Sequence, residues 1–426
     1  MVACSIADKQ KKWALAYQFA KRAVDINPKS AYAWMNLGRI ADEFYRFDEA
    51  ERAFAKALKL CKNDDQRGTV YINLSAALVN KGDWIKGAQA AKTGLQFKPD
   101  NKKLKANLGM ANLGLGLWVD GWKNYDEIIA FDTSRARVKY REEPDWDGRP
   151  GQRVVVYGEQ GLGDEISFAS MIPDLADISA KVYVDCDRRL EGLFKRSFPD
   201  CEVHGTRWDR DIDWLPEIDA SITMGGLGKF FRTKDSSFPK KPYLIADPER
   251  VEMWKGLFSK LNKPVIGISW SGGLFWTAGR FRAMTLEDLL PIFKSIDAVW
   301  VSLQYKDASG EIQAFRTKHP EIDLRQYAWA TLTNDYDDTA GLVAALDKVV
   351  SMQQSVIHLA GGLGKETHVF VNKHSQWRYG RDEMLWYPNV HLYRQRQDNT
   401  YPVKEVARAL SSPITREHER AEVVAA

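Results

Sequence analysis

The chain has 426 residues, of which 44% are hydrophobic and 28% charged, with a formal net charge of +4. That length exceeds one ordinary domain, and that composition describes a globular protein able to bury real cores. Residues 1–130 hold 21 Lys and Arg against 14 Asp and Glu, and the remainder 40 against 43. The mildly basic first part suits an acidic partner but falls far short of a nucleic-acid-binding stripe.

The first 130 residues carry an internal period. Leu37-Gly38, Leu74-Ser75 and Leu108-Gly109 recur at spacings of 37 and 34 residues. In register with them stand Phe47, Trp84 and Trp118, then Ala50, Gly87 and Gly121, then Phe54, Ala91 and Tyr125. Small residues at a helix crossing with large ones beside them are what paired antiparallel helices need. The pattern resembles the tetratricopeptide repeat, with Pro28 and Pro99 closing units. Trp13, Ala16 and Ala20 match the second half of an earlier, incomplete unit. Such arrays usually bind a protein or peptide, and they also serve as plain structural extensions.

Residues 131–152 read as a linker, ending in the turn-rich run from Pro144 to Gly151. Arg153 to Ser170 then spells RVVVYGEQGLGDEISFAS. Three valines suit a strand buried on both faces, and Gly158, Gly161 and Gly163 break it before a helix-compatible segment. Asp164 is expected at the helix N-cap, beside the loop residues Glu159, Gln160, Gly161 and Gly163. Further strands are expected at Lys181–Val184, Cys201–His204 and Asp219–Thr223, with a helix around Arg188–Phe198. The alternation predicts a doubly wound domain over 153–246, followed by a bridging helix within 247–262.

A second strand–turn unit opens at Val265 and begins an α/β domain over 263–410, with 411–426 as a tail. Strands are expected at Val299–Leu303, Lys348–Ser351 and Glu366–Val371, with a helix from about Val356. Ligands bind at the carboxyl ends of such strands, hence in a cleft between two such domains. Ser271, Gly272 and Gly273 offer backbone N–H groups there. Arg280 and Arg282 reach phosphate oxygens with paired donors, and Lys306, near Gln304, adds a point charge. Ser355 stands at a helix start, where the dipole favours an anion, and His358 lies one turn further in. Each alone reads as a solvated charge, a cap or a packing residue; together they predict a diphosphate site. Trp270, Phe275, Trp276, Trp377 and Tyr379 are candidates to stack on a base or sugar.

Two DxD pairs, Asp185-Cys186-Asp187 and Asp211-Ile212-Asp213, lack a third ligand and are discounted as metal sites. The four cysteines show no metal or disulfide spacing. No apolar run is long enough to cross a membrane, and MVACSIADKQKK lacks a signal-peptide core, so a cytoplasmic protein is expected. A P-loop is missing, and GLGDEI holds only part of a dehydrogenase fingerprint.

GEQGLGDEISFA, WSGG with RFRAMTLEDL, WVSLQ and HLAGGLGK, in this order behind helical repeats, resemble one family. It is that of the tetratricopeptide proteins related to the ADP-heptose:lipopolysaccharide heptosyltransferases. The resemblance implies the GT-B fold: two Rossmann-like domains, a nucleotide-sugar donor on the second, and no metal cofactor. It implies Asp164 as the base for an acceptor hydroxyl, Arg280 and Arg282 in a basic loop, and the Ser355–His358 helix as diphosphate cradle. The chain departs from the family at Gln353, usually Asp, and at Thr277, near which Lys is common. Two readings stay open. One is an inverting, metal-independent glycosyltransferase acting on a saccharide or protein acceptor. The other is a non-catalytic repeat-bearing binder with a degenerate transferase fold.

Overall fold

The computed structural model describes residues 13–129, 142–209, 211–239, 241–273 and 282–411. They form two compact units.

The first unit holds the repeats: α1 (Trp13–Ile26), α2 (Ala31–Glu43), α3 (Phe47–Leu60), α4 (Asp64–Lys81), α5 (Trp84–Phe97), α6 (Lys102–Gly114), α7 (Trp118–Trp122) and α8 (Tyr125–Ile129). Consecutive helices pair, and the periodic small residues sit at their crossings. A β-carbon on Gly38 would fall 2.8 Å from the Phe54 ring, because α2 and α3 approach that closely there. Buried Asn107 ties repeats together by donating to the Ser75 hydroxyl at 2.9 Å. Asn63, Asp83 and Asn101 cap α4, α5 and α6 through their side chains, which ends each loop on a satisfied helix start.

This unit also contains His374–Arg381, far along the chain. The His374 imidazole donates to the Lys81 carbonyl at 2.8 Å and lies 4.5 Å from the Phe47 ring. Trp377 packs edge-on against Trp122. The second α/β domain is therefore not continuous over 263–410, as its sequence suggests: one loop of it belongs to the repeats.

The second unit contains two parallel sheets. The first has strand order β3-β2-β1-β4, from β1 (Arg153–Tyr157), β2 (Lys181–Asp185), β3 (Glu202–His204) and β4 (Ala220–Thr223). Val154, Val155 and Val156 are fully buried, as a central strand covered on both faces demands. The helices here are α9 (Leu162–Ala169), α10 (Ile172–Ala176), α11 (Glu191–Ser197) and α12 (Gly228–Phe231). Helix α13 (Pro248–Phe258), capped by Asp247, leads to the second sheet.

That sheet has order β10-β9-β8-β5-β6-β7. Its strands are β5 (Val265–Ser269), β6 (Val299–Ser302), β7 (Leu324–Gln326), β8 (Lys348–Met352), β9 (Thr367–Val371) and β10 (Val390–Arg394). Its helices are α14 (Leu290–Phe293), α15 (Ser309–Lys318), α16 (Ala328–Thr331), α17 (Tyr336–Ala345), α18 (Ser355–Gly362) and α19 (Val403–Leu410). Both sheets reverse their winding beside the first strand, between β1 and β4 and between β5 and β8. Those switch points open crevices at the carboxyl ends of the strands.

Candidate functional site

The first switch point is the turn from Gly158 to Gly163. Its helix starts at Leu162, so Asp164 is the third helical residue and not the N-cap expected for it. The chain bends earlier, because Gly161 takes the cap position and the Asp164 carboxylate reaches back to accept its N–H at 3.0 Å. Helix α9 ends at Ala169, and Pro173 enters the first turn of the separate helix α10. Glu159, expected in the acceptor-side loop with Gln160, Gly161 and Gly163, is fully buried and accepts the Gly225 N–H at 2.8 Å, joining the ends of β1 and β4.

Two residues without a role in the sequence reading fix this turn. Arg207, 1% exposed, pairs with fully buried Glu165 through Nη1 and donates from Nη2 to the Gln160 carbonyl at 3.0 Å. That carbonyl belongs to a residue at φ 60°, a left-handed conformation that a non-glycine residue adopts only when its surroundings impose it. Burial pushes the Glu165 carboxyl up to about 7, against the opposing pull of Arg207 and of the Asp187 N–H. The signal for Arg207 was its place just after the third strand, too weak by itself to mark a buried cation.

At the second switch point the donor-side candidates converge. The Gln304 amide accepts from Ser269 and donates to Ser271, and Gln354 donates to Ser269. Arg282 reaches the Gln353 carbonyl at 3.4 Å. The Gln353 side chain accepts the Asn372 N–H at 2.9 Å, linking β8 to β9. A β-carbon on Gly272 would lie 2.6 Å from that same Gln353 carbonyl, so only glycine fits. The Gly272 N–H donates to the Arg282 carbonyl at 2.9 Å and is committed there, contrary to its expected role toward a phosphate. Lys306 is exposed, with its ammonium over the Tyr305 ring, and the Tyr305 hydroxyl donates to the Gly273 carbonyl. Arg280, Thr277, Phe275 and Trp276 lie outside the described residues.

Of the other aromatic candidates, Trp270 is buried and donates to Glu311, while Trp377 and Tyr379 belong to the repeat unit. They are packing residues. The discounted acid pair is engaged as well: Asp185 accepts from Thr206, and Asp187 takes both arms of Arg189. Among the described residues, no group of three or more potential ligands is placed to hold a metal.

The two switch points meet. Gly163 near the start of α9 lies against the start of α18, where a β-carbon would stand 3.2 Å from the Ser355 backbone and 2.9 Å from the His358 ring. His358 is buried and pairs through Nδ1 with the Tyr387 hydroxyl at 3.2 Å, while Tyr336 donates to the Ser355 hydroxyl. Two helix N-termini, each following a central strand, thus come together with Asp164 beside them. That concentrates positive dipole ends in one place.

A helical repeat array followed by two Rossmann-like parallel α/β domains defines the class of the fold. No protein-family model matches the chain. The chain belongs to the family of Protein FlbA from Caulobacter vibrioides. It is 30% identical to that protein over 424 residues, spanning 92% of this chain and 68% of FlbA. Among solved structures, it is similar to a Thermobaculum terrenum O-GlcNAc transferase mutant (14% identity, TM-score 0.34), over 97% of this chain and 89% of that one. It is also similar to E. coli ADP-heptose lps heptosyltransferase II (12% identity, TM-score 0.42), over 61% of this chain and 98% of that one. Among the described residues, no helix is long and apolar enough to cross a membrane.

Proposed function

We propose that the chain transfers a sugar from a nucleotide diphosphate donor to an acceptor hydroxyl, with inversion and without a metal. The observation that carries this reading is the packing of Gly163 on Ser355 and His358, which sets the Asp164 turn against the start of α18. Asp164 would take the acceptor proton as general base. Arg282, Arg280, Lys306 and the α18 N-terminus would offset the charge developing on the leaving diphosphate, the service a metal performs elsewhere. The acceptor is a saccharide or a protein, and the repeats would recruit it or a protein partner in the cytoplasm.

A second reading, a binder that has lost its chemistry, draws on two contacts. Gln353 supplies a neutral amide that is spent on the β9 backbone, and Asp164 is itself hydrogen-bonded to Gly161. A thermal-shift screen with ADP, GDP, UDP and CMP, followed by turnover of the matching nucleotide-sugars, separates them. A nucleotide at about 100 times its dissociation constant should stabilise by roughly 2.7 kcal/mol. Asp164→Asn should keep that shift and lose roughly 10²–10⁴ in turnover. Undiminished turnover in Asp164→Asn removes the base assignment. A nucleotide shift without turnover in the wild type leaves the binder.

A further inference from the structure

At the carboxyl end of β3, next to the Asp164 turn, one large aromatic side chain faces solvent and is nevertheless held still. Trp208 is 55% exposed. A single exposed apolar side chain needs no explanation on a protein surface; what sets this one apart is its clamping. The Arg207 guanidinium lies 4.4 Å from its ring centroid, and Arg207 is itself fixed to Glu165 and to the Gln160 carbonyl. Burial would raise the Asp187 carboxyl, but bonds from Arg189 hold it below its ordinary value. An aromatic ring fixed in advance binds without paying the entropy of being ordered.

The surroundings of the ring are polar. Asp187 and Arg189 form one pair, and Arg188 and Asp209 another at 3.0 Å, both flanking Arg207-Trp208. A pyranose ring has a face of C–H groups and a rim of hydroxyls, which matches an apolar indole face bordered by donors and acceptors. An apolar peptide side chain would instead lay hydrocarbon against those charges and cost their hydration.

We propose that Trp208 is the platform on which a saccharide acceptor lays one face of a sugar ring. Its assignment to the acceptor side rests on the transferase reading above, but the binding itself can be measured alone. Full-length protein labelled with fluorotryptophan is titrated with methyl glucoside, methyl galactoside and methyl N-acetylglucosaminide, and with N-acetylphenylalanine amide as the peptide-like probe. The Trp208 resonance is identified by its loss in Trp208→Phe, whose melting temperature confirms the fold.

The expected result is a saturable shift of that resonance with at least one glycoside and none with the amide. Trp208→Ala should weaken glycoside binding by about tenfold, the worth of one stacked ring. A Trp208 signal unmoved by every glycoside, or moved only by the amide, overturns the proposal. Glycosides that move Trp208 in a protein no nucleotide stabilises would sink the transferase reading and keep this site. Nucleotide-dependent turnover with an inert Trp208 would do the reverse.

Discussion

The two switch points use the same backbone device and lock it with different chemistry. At the end of β1, an ion pair between wholly buried Glu165 and Arg207 sets the turn, with a left-handed Gln160 held in the balance. At the ends of β5 and β8, neutral amides do the same work: Gln304 and Gln354 on Ser269 and Ser271, and Gln353 on Asn372. A charged lock is directional and strong only while both partners remain, whereas an amide lock ignores pH. The proposed base therefore stands on a titratable support and the proposed donor pocket on a neutral one.

The sharpest way to break the comparison is Arg207→Met. It leaves Glu165 buried without its cation and frees the Gln160 carbonyl, for an expected loss of about 3–5 kcal/mol in urea unfolding at pH 8. At pH 6 the loss should be smaller, because Glu165 can take up a proton. The sign follows from its raised value. Stability from this group is full below the unfolded carboxyl range near 4.5 and fades as pH climbs through about 7. Glu165→Gln, a mimic of the neutral acid, should flatten that slope. An Arg207→Met loss that stays the same from pH 6 to 8 would show that Glu165 does not titrate there.

On the neutral side, Gln304→Leu takes the acceptor from the buried Ser269 hydroxyl and the donor from half-buried Ser271, for an expected loss of about 1–3 kcal/mol. That loss should not change between pH 6 and 8. A pH-dependent loss would mean that a group titrating in that range supports the second turn as well, and the contrast would fail.

The repeats were legible because each unit repeats its small and large residues at fixed offsets. The central strands β1, β5 and β8 were legible as apolar runs ending in glycine or polar turns. Strand β7 was missed since Leu324-Arg325-Gln326 is three residues long and mostly polar, and β10 because an edge strand leaves most of its side chains partly exposed. The residues of the donor turn were found by type, yet their hydrogen bonds were not: nothing in the order of letters shows that the Gly272 N–H is already taken. Arg207 was hidden for a related reason, since an arginine reads as a surface residue until its buried partner is known. The His374–Arg381 loop could not be assigned to the repeats, because that packing joins residues nearly 300 positions apart.

The most direct test is hydrogen exchange of the whole protein with and without the nucleoside diphosphate that stabilises it best. Exchange should slow at both 158–165 and 353–360, since one ligand would span the two turns. Protection confined to one of them, or found only elsewhere, would contradict a shared site.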